Sequence, residues 1–573
     1  MDSLLFLLDK KTTFRLCSGK VVLLSVSIPK LRGNRLRSSE VRPRRVEEWL
    51  ESLPRADARE CAQLLYQALY SQNRIALESK NRLVLMELYR QPVSFVVDSL
   101  QRTYRLTSFP LSERERQLVD FVRQLLTELG NGYKIVANDL LREGRKKSHH
   151  SELITSIQRA IHFLGRVLLN SYQAYVACPQ GVWREIHQLY QYAESNDLLN
   201  YPVAAEDTVT QDGLATVTET YQRLLIVSAA NPYGLLQGEC VRLYDSIPLW
   251  EGEAEIGLTP PVVESAGRFV VDLHSDIPPV PVDKTSARVG SDNLRFVNLI
   301  EVVRDIHRML KGLEKDSTRR AIQSAVPGVN PAYTDMLKRV GRVLGGVKTR
   351  RQSHRTPTDG GIPICRGVNA IHYYANGEQA IPALSAAPTA ANDAQGPNPD
   401  REPPAEHSTN PSPWDGAVAE HRLHACKTKD ESATGIRLFV TNGSDLQIRV
   451  GDVVGLQHPT PERWRAGVVR WIRSASKEVL EMGVQLLGPD LVPVTVMRRQ
   501  DEATTHSAPG LLVPANRALK QPESLLLSRG LYEPGAPLFM DDGSAEPTAV
   551  ASLGVLERSG SFDQLMLATP QLH

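Results

Sequence analysis

The spacing of apolar residues changes near residue 345, and this change limits the possible folds more than any other feature. Before it, apolar side chains recur every three or four residues, which is typical of amphipathic helices. After it, short β-branched runs alternate with turn residues, which is typical of strands. The sequence therefore predicts an α+β multidomain protein, with an N-terminal α-helical array followed by an antiparallel β-barrel and a second small β-rich unit.

The helical domain is predicted over residues 46–345, as one domain or two. Ser112 and Glu115 form a capping-box pattern that predicts the start of one helix, and Gly130 and Gly132 predict its end. A strand-like piece, Arg268–Leu273, lies between proline-rich turns. The other predicted helices cover residues 46–53, 58–70, 81–100, 151–176, 181–194, 213–229 and 293–314.

The β-rich part divides into a barrel over residues 346–500 and a C-terminal unit over residues 510–573. Asn442-Gly443 is a hairpin signal inside the barrel. Residues 376–413 are predicted to be a disordered, proline-rich insertion, because so few large apolar side chains cannot offset the entropy of ordering. The predicted strands lie at 361–374, 435–440, 446–456, 465–473, 479–487, 524–527, 537–540, 550–556 and 562–568.

The charge balance excludes a protein that coats nucleic acid over its whole surface, because 67 basic residues face 65 acidic ones for a net charge of +2. A strand-like start and a basic arm form residues 1–45, although residues 1–26 could come from an over-extended gene model. The arginines at 32–45 are interpreted as a solvated arm, and a weaker alternative is contact with phosphates or acidic lipid.

The cysteines and the apolar runs predict a cytoplasmic protein. The six cysteines are widely separated and form no CxxC motif, which is typical of reduced thiols rather than of a disulfide framework or a zinc ribbon. The longest apolar runs are far shorter than the ~20 residues that a membrane-spanning helix needs.

The usual catalytic motifs are missing from the sequence. It contains no GxxxxGK[ST], no GxGxxG opening a helix, no HExxH and no GxSxG. The 14 histidines are dispersed, and His187 is interpreted as helix packing rather than as a metal ligand. We therefore predict that the chain is not an enzyme and has neither a metal nor a cofactor.

Two short motifs flank the predicted first strand of the barrel. Arg351-Gln-Ser-His-Arg355 has the pattern RxxxR, and Asp430-Glu-Ser432-Ala-Thr-Gly435 has the pattern [DN]xSxxG. The runs Gly467–Trp471 and Met482–Leu486 follow these motifs along the chain. Together these features resemble the PilZ domain, a six-stranded β-barrel that binds cyclic di-GMP, over roughly residues 345–490. The whole chain resembles PilZ proteins with a long helical N-terminal region.

The resemblance implies a cyclic di-GMP site. Arg351 and Arg355 would hold phosphates or guanine edges, with Arg350 as a possible helper. Asp430 would accept hydrogen bonds from guanine N1 and N2, and Ser432 would bind the ligand or fix the loop. Gly435 would permit a positive φ or a close approach. From the residues alone, a solvated basic linker and a turn that caps its own backbone remain open alternatives.

The predicted function is that of a cytoplasmic cyclic di-GMP receptor whose helical region acts as output or contacts a protein partner. The alternative is a PilZ-like interaction scaffold, for a surface or motility apparatus, that no longer binds nucleotide. A third hypothesis is attachment to a membrane through the arm at 32–45. Attachment of the same arm to nucleic acid is less favoured.

Overall fold

The chain divides into two compact units, residues 1–107 with 111–350 and residues 108–110 with 351–573. The fold predicted from the sequence, α+β with a helical N-terminal region, is confirmed. The computed structural model describes residues 24–32, 41–104, 107–144, 149–204, 213–250, 254–260, 266–282, 292–315, 330–346, 356–379, 421–441, 445–459, 462–474, 479–499, 505–543 and 546–568.

The first unit is mainly helical. The predicted capping box is present, since Ser112 Oγ accepts from the Glu115 amide at 3.3 Å and the Glu115 carboxylate accepts from the Ser112 amide at 2.8 Å. Arg42 precedes the first helix, whereas Arg35 and Arg37 lie outside the described residues. The helices of this unit are α1 Pro43–Glu51, α2 Ala58–Gln72, α3 Ser79–Arg102, α4 Glu113–Arg142, α5 His150–Gln173, α6 Val182–Ser195, α7 Val217–Ala229, α8 Glu239–Ser246, α9 Ile300–Glu314 and α10 Pro331–Leu344.

The first unit also contains strands. A pair joins β1 Val203–Ala204 to β2 Leu214–Ala215, and a four-stranded antiparallel sheet has the order β3-β6-β4-β5. The helix predicted over 293–314 is wrong at its start, because Leu294–Asn298 is strand β6 and pairs with β3 and β4. Tertiary pairing overrides the local periodicity there. The strands of that sheet are β3 Glu255–Gly257, β4 Arg268–Asp272, β5 Val280–Pro281 and β6 Leu294–Asn298.

An extended N-terminal segment, residues 24–32, runs along the helices of the first unit. The Ser27 amide donates to Glu185 Oε1 at 3.0 Å, and Lys134 Nζ donates to Glu185 Oε2 at 2.6 Å. Farther along, the Arg32 amide donates to the Arg74 carbonyl at 2.7 Å. The segment is therefore attached to this unit at two points, and one of them is the Glu185 carboxylate, which also pairs with the buried Lys134.

The prediction that Gly130 and Gly132 end a helix is wrong, because α4 continues through both to Arg142. Gly132 instead permits close packing against α3, since a Cβ there would lie 2.0 Å from Met86 Sδ. At Gly130 a Cβ would lie 3.6 Å from the Cβ of Phe163, which is an ordinary contact. Only one of the two glycines is required by packing.

Alanine replacements at these two positions should have opposite signs. Gly130→Ala should raise the free energy of unfolding by up to about 1 kcal/mol, because alanine is the better helix former. Gly132→Ala should lower it by about 1–3 kcal/mol, because the added methyl overpacks the buried Met86. Urea unfolding of both variants checks this, and a gain in stability for Gly132→Ala would contradict the packing role.

His187 is a buried packing residue, as the sequence predicted. Its ring nitrogens lie 2.8 Å from Tyr221 Oη and 3.0 Å from the Ile277 carbonyl oxygen. Burial lowers the pKa of His187 to about 4, because the charged ring would lose its hydration. The folded unit therefore holds this ring in its neutral form at neutral pH.

The stability that depends on the neutral His187 should fall in acid. The unfolded chain takes up this proton near the ordinary pKa of 6.5 and the folded chain only near pKa 4, so the unfolded state binds more protons between those values. The loss should reach about 3 kcal/mol as the pH drops through this window. His187→Gln should unfold with correspondingly less pH dependence. An unchanged pH slope in denaturant titrations of that variant would contradict this.

The second unit contains a closed six-stranded barrel of spatial order β10-β11-β12-β9-β8-β7, in which all neighbours are antiparallel. Its interior is mainly apolar, and Ile436, Leu438 and Val440 alternate inward along one strand. The strands are β7 Thr356–Arg366, β8 His424–Ser432, β9 Gly435–Thr441, β10 Val453–Pro459, β11 Glu462–Ser474 and β12 Val479–Leu486.

Two predictions within the barrel are wrong. The strand predicted over 361–374 ends at Arg366, and Val368–Ala375 forms helix α11, after Gly367 with φ of 88°. Residues 442–444 lie outside the described residues, but the strands on either side do not form the predicted hairpin, since β9 pairs with β8 and β12. Helix α11 packs against the barrel, because its residue Ile371 lies in one buried cluster with Val453 and Val468 of the barrel strands.

A seven-stranded sheet of order β17-β16-β13-β14-β15-β19-β18 completes the second unit and begins at Val492. Val453 and Val468 of the barrel share one buried cluster with Leu511 and Phe562 of this sheet. The barrel and the sheet therefore share one core. The strands are β13 Val492–Arg499, β14 Thr505–Val513, β15 Ser524–Ser528, β16 Phe539–Asp541, β17 Thr548–Ala549, β18 Ser552–Arg558 and β19 Phe562–Leu567.

Candidate ligand site on the barrel

The [DN]xSxxG motif encloses the hairpin between β8 and β9. Ser432 and Gly435 are Cα partners, so the two residues between them form the turn. Asp430 lies on β8 opposite Arg437 on β9. The motif residues therefore occupy one end of the barrel, and Asp430 and Ser432, two apart on the strand, lie on the same face of β8.

Ser432 and Gly435 both shape this turn. Ser432 Oγ donates to the Gly435 carbonyl at 3.0 Å, which is the loop-fixing role that the resemblance allowed. Since a hydroxyl has one proton, Ser432 in this geometry faces a ligand as an acceptor. Gly435 does not have a positive φ. Its backbone passes close to β12 instead, since a Cβ would lie 3.1 Å from the Val484 carbonyl oxygen.

Asp430 belongs to a chain of charges on the outer face of the barrel. Its Oδ2 lies 2.8 Å from Arg437 Nη2, and Arg437 Nη1 lies 3.1 Å from Glu481 Oε1 on β12. The other oxygen of Glu481 accepts from Arg473 Nη2 of β11 at 2.9 Å. Asp430 is therefore an oriented carboxylate rather than a residue that only caps its own turn.

Glu431 forms a second pair, on the opposite side of β8. It is the Cα partner of the buried Ile436, so its side chain lies on the interior face of the sheet. Its Oε1 lies 2.5 Å from Arg465 Nη2 on β11, a strand that is not a neighbour of β8. This ion pair spans the barrel interior at the end that carries the motif.

The start of β7 lies beside the motif. Thr356 is the Cα partner of Glu431, and Pro357 is the partner of Asp430. Arg355 directly precedes Thr356 in the sequence. The predicted site residues Arg350, Arg351 and Arg355 lie outside the described residues. The described part of the barrel thus brings Asp430, Ser432 and Gly435 together, next to the point where the RxxxR segment joins β7.

Sequence reasoning missed three charged residues at this end of the barrel, Arg437, Glu481 and Arg465. One signal was available: alternation along β9 puts Arg437 on the face opposite Ile436 and Leu438. The contacts of Glu481 and Arg465 could not be predicted from alternation, because they depend on strand order and register.

The described residues carry neither a membrane-spanning helix nor a cluster of metal-binding side chains. None of their helices combines the length and the apolarity that crossing a bilayer requires. Among those same residues, no cluster of three or more His, Cys, Asp or Glu side chains is arranged to hold a metal ion.

Comparison with known families identifies the barrel as a PilZ domain. Residues 268–414 and 399–493 match the model "Cyclic-di-GMP receptor FimW, middle PilZ domain". Residues 44–261 match the N-terminal domain of the same receptor, and residues 494–569 match the "FimW C-terminal beta-barrel domain". The chain therefore belongs to the FimW family of PilZ-domain proteins with a helical N-terminal region, as the resemblance indicated.

One curated relative is similar over nearly the full length. It is the cyclic-di-GMP receptor FimW of Pseudomonas aeruginosa, which is 27% identical over 582 residues, covering 94% of this chain and 93% of the relative. Its description and those of the first two family models name a receptor and no enzymatic activity. This supports the prediction of a receptor rather than an enzyme.

Proposed function

We propose that this protein is a cyclic di-GMP-binding signalling receptor, in which nucleotide bound at the PilZ barrel modulates the helical region or its partner. The supporting observation is the pairing of Thr356 with Glu431, between Asp430 and Ser432. It brings the chain that follows Arg355 to the strand that carries the second motif. A family description that names a cyclic di-GMP receptor gives the ligand class.

The proposed site combines charges that suit this ligand. Cyclic di-GMP carries two phosphates and two guanine Hoogsteen edges, which the guanidinium groups of Arg351 and Arg355 can fork onto, with Arg350 as helper. Asp430 would accept from guanine N1 and N2, and Ser432 would add an acceptor. The close approach at Gly435 keeps the turn compact beside the ligand.

Ligand binding would act as a switch. In the sequence, Arg351 and Arg355 lie between α10 and β7. A ligand that binds both arginines and the barrel would therefore change the conformation of the segment between Gly345 and Thr356. A two-state element of this kind is biased by the difference in ligand affinity between its states. We propose residues 46–345 as the output or partner-binding part and residues 346–500 as the ligand-binding part.

We further propose a cytoplasmic location and a protein partner in a surface or motility system. The cysteines in the described part of the chain, Cys61, Cys178, Cys240, Cys365 and Cys426, are free, as expected in a reducing compartment. Burial raises the pKa of Cys365 and of Cys426 to about 12, so both thiols stay protonated. Membrane contact through the arm at 32–45 is the weaker proposal.

Calorimetric titration of the full chain with cyclic di-GMP tests the function. We expect saturable binding at micromolar ligand, and much weaker binding of cyclic di-AMP, because adenine presents an amino group where guanine presents O6. A folded protein that gives no binding heat at tens of micromolar cyclic di-GMP would contradict the proposal. That outcome would leave the scaffold that no longer binds nucleotide as the better account.

A further inference from the structure

We propose that Arg437 is a positioning residue of the ligand site, which holds the carboxylate of Asp430 through a guanidinium anchored on the buried Glu481. This inference rests on the proposed function, because Arg437 can position Asp430 for binding only if Asp430 contacts the ligand. Arg437 itself lies outside both motifs. The two nitrogens that make these contacts belong to one rigid planar group. The direction of the Asp430 carboxylate is therefore tied to the position of Glu481.

The anchor is firm because Glu481 is nearly inaccessible. Its side chain is 4% exposed and accepts from Arg437 and Arg473 at 3.1 and 2.9 Å. Hydrogen bonds between ionised groups are stronger than neutral ones, and burial reduces their screening by solvent. Glu481 thus fixes Arg437 independently of any ligand.

Asp430 and Arg437, at the other end of this row of charges, are partly exposed and lie at the candidate site. The side chains of Asp430 and Arg437 are 13% and 29% exposed, and Asp430 is opposite Pro357 near the start of β7. A carboxylate that is already oriented avoids part of the entropy that ordering it would cost on binding.

The charge of Arg437 has a second consequence. The proposed ligand carries two negative phosphates, so a carboxylate without a nearby cation would repel it. Arg437 offsets that charge while leaving Asp430 an acceptor. Lysine at position 437 would keep the charge but could not fork onto two carboxylates, so Arg437→Lys should also bind weakly.

A double-mutant cycle tests this role by calorimetric titration of the full chain with cyclic di-GMP. Arg437→Ala should weaken binding by about tenfold or more in the wild-type background. In the Asp430→Ala background the same change should have less than about a twofold effect, because the residue it positions is gone. Arg463→Ala is the matched control, an exposed arginine of β11 that pairs with Asp490 at 2.9 Å, and should bind as the wild type does.

A purely structural role would give a different pattern. It would lower the melting temperature, and the losses from Asp430→Ala and Arg437→Ala would add. Glu481→Gln, which keeps the side-chain shape, provides a second test should Arg437→Ala not fold, and should weaken binding at least about threefold.

The possible outcomes separate this inference from the proposed function. Additive losses in the cycle, or wild-type affinity in folded Arg437→Ala or Glu481→Gln, would overturn the role of Arg437 alone. If the wild-type protein itself gives no binding, the proposed function fails and this inference fails with it.

Discussion

Replacing both Arg351 and Arg355 by alanine should lower the affinity for cyclic di-GMP by at least about 100-fold, because each charge-assisted hydrogen bond contributes about 1.5–3 kcal/mol. The expected result is measured by calorimetric titration of the full chain. Each single replacement should cost about tenfold or more, and Arg350→Ala should cost less, as befits a helper. The loss should come without unfolding, since the pairing of Thr356 with Glu431 begins after both arginines.

The matched control for this double replacement is Arg463→Ala with Arg498→Ala. These arginines lie in the same unit, outside both motifs, and pair with Asp490 and Glu533 at 2.9 and 2.7 Å. The control removes the same total charge and should retain wild-type affinity. Wild-type affinity in the folded Arg351→Ala/Arg355→Ala variant would contradict the assignment of these two residues.

Glu185→Ala should lower the free energy of unfolding of the first unit by about 3–5 kcal/mol, because it leaves a buried charge without its partner. Lys134 is 2% exposed, and its Nζ donates to Glu185 at 2.6 Å. The same carboxylate accepts from the Ser27 amide at 3.0 Å, so the variant should also release the N-terminal segment at that point. Denaturant unfolding gives the energy, and limited proteolysis near residue 27 reports the release.

An exposed pair provides the control for this second effect. Arg166 and Asp98 lie 2.9 Å apart, with Asp98 58% exposed, so Asp98→Ala should change the stability by no more than about 1 kcal/mol. Adding Lys134→Met to Glu185→Ala should restore part of the loss, because it removes the unpaired charge. If Glu185→Ala costs no more than Asp98→Ala, the stabilising role of the buried pair is wrong.

Local patterns in the sequence predicted much of the fold. The capping box at Ser112 fixed the start of α4, and β-branched runs marked β9, β11 and β12. The errors occur where distant parts of the chain decide the local structure. Gly132 reads as a helix end, but it packs against Met86, and Leu294–Asn298 is drawn into a sheet by β3 and β4.

The candidate site was predicted only in part for the same reason. The motifs supplied Asp430, Ser432 and Gly435, which share one hairpin. The sequence did not predict Arg437, because its proposed role depends on a contact with Glu481. That contact exists only because β9 pairs with β12. Strand order and register bring such residues together, and no short motif encodes them.

Hydrogen exchange of the full chain, with and without saturating cyclic di-GMP, tests the central claim most directly. The claim is that the segment before Thr356 and the hairpin from Asp430 to Arg437 form one ligand site, although a long insertion separates them in the sequence. We predict slower exchange in peptides from both segments when ligand is bound, and little change in peptides from β18. Saturated binding that slows exchange in neither segment, or in only one of them, would contradict the account.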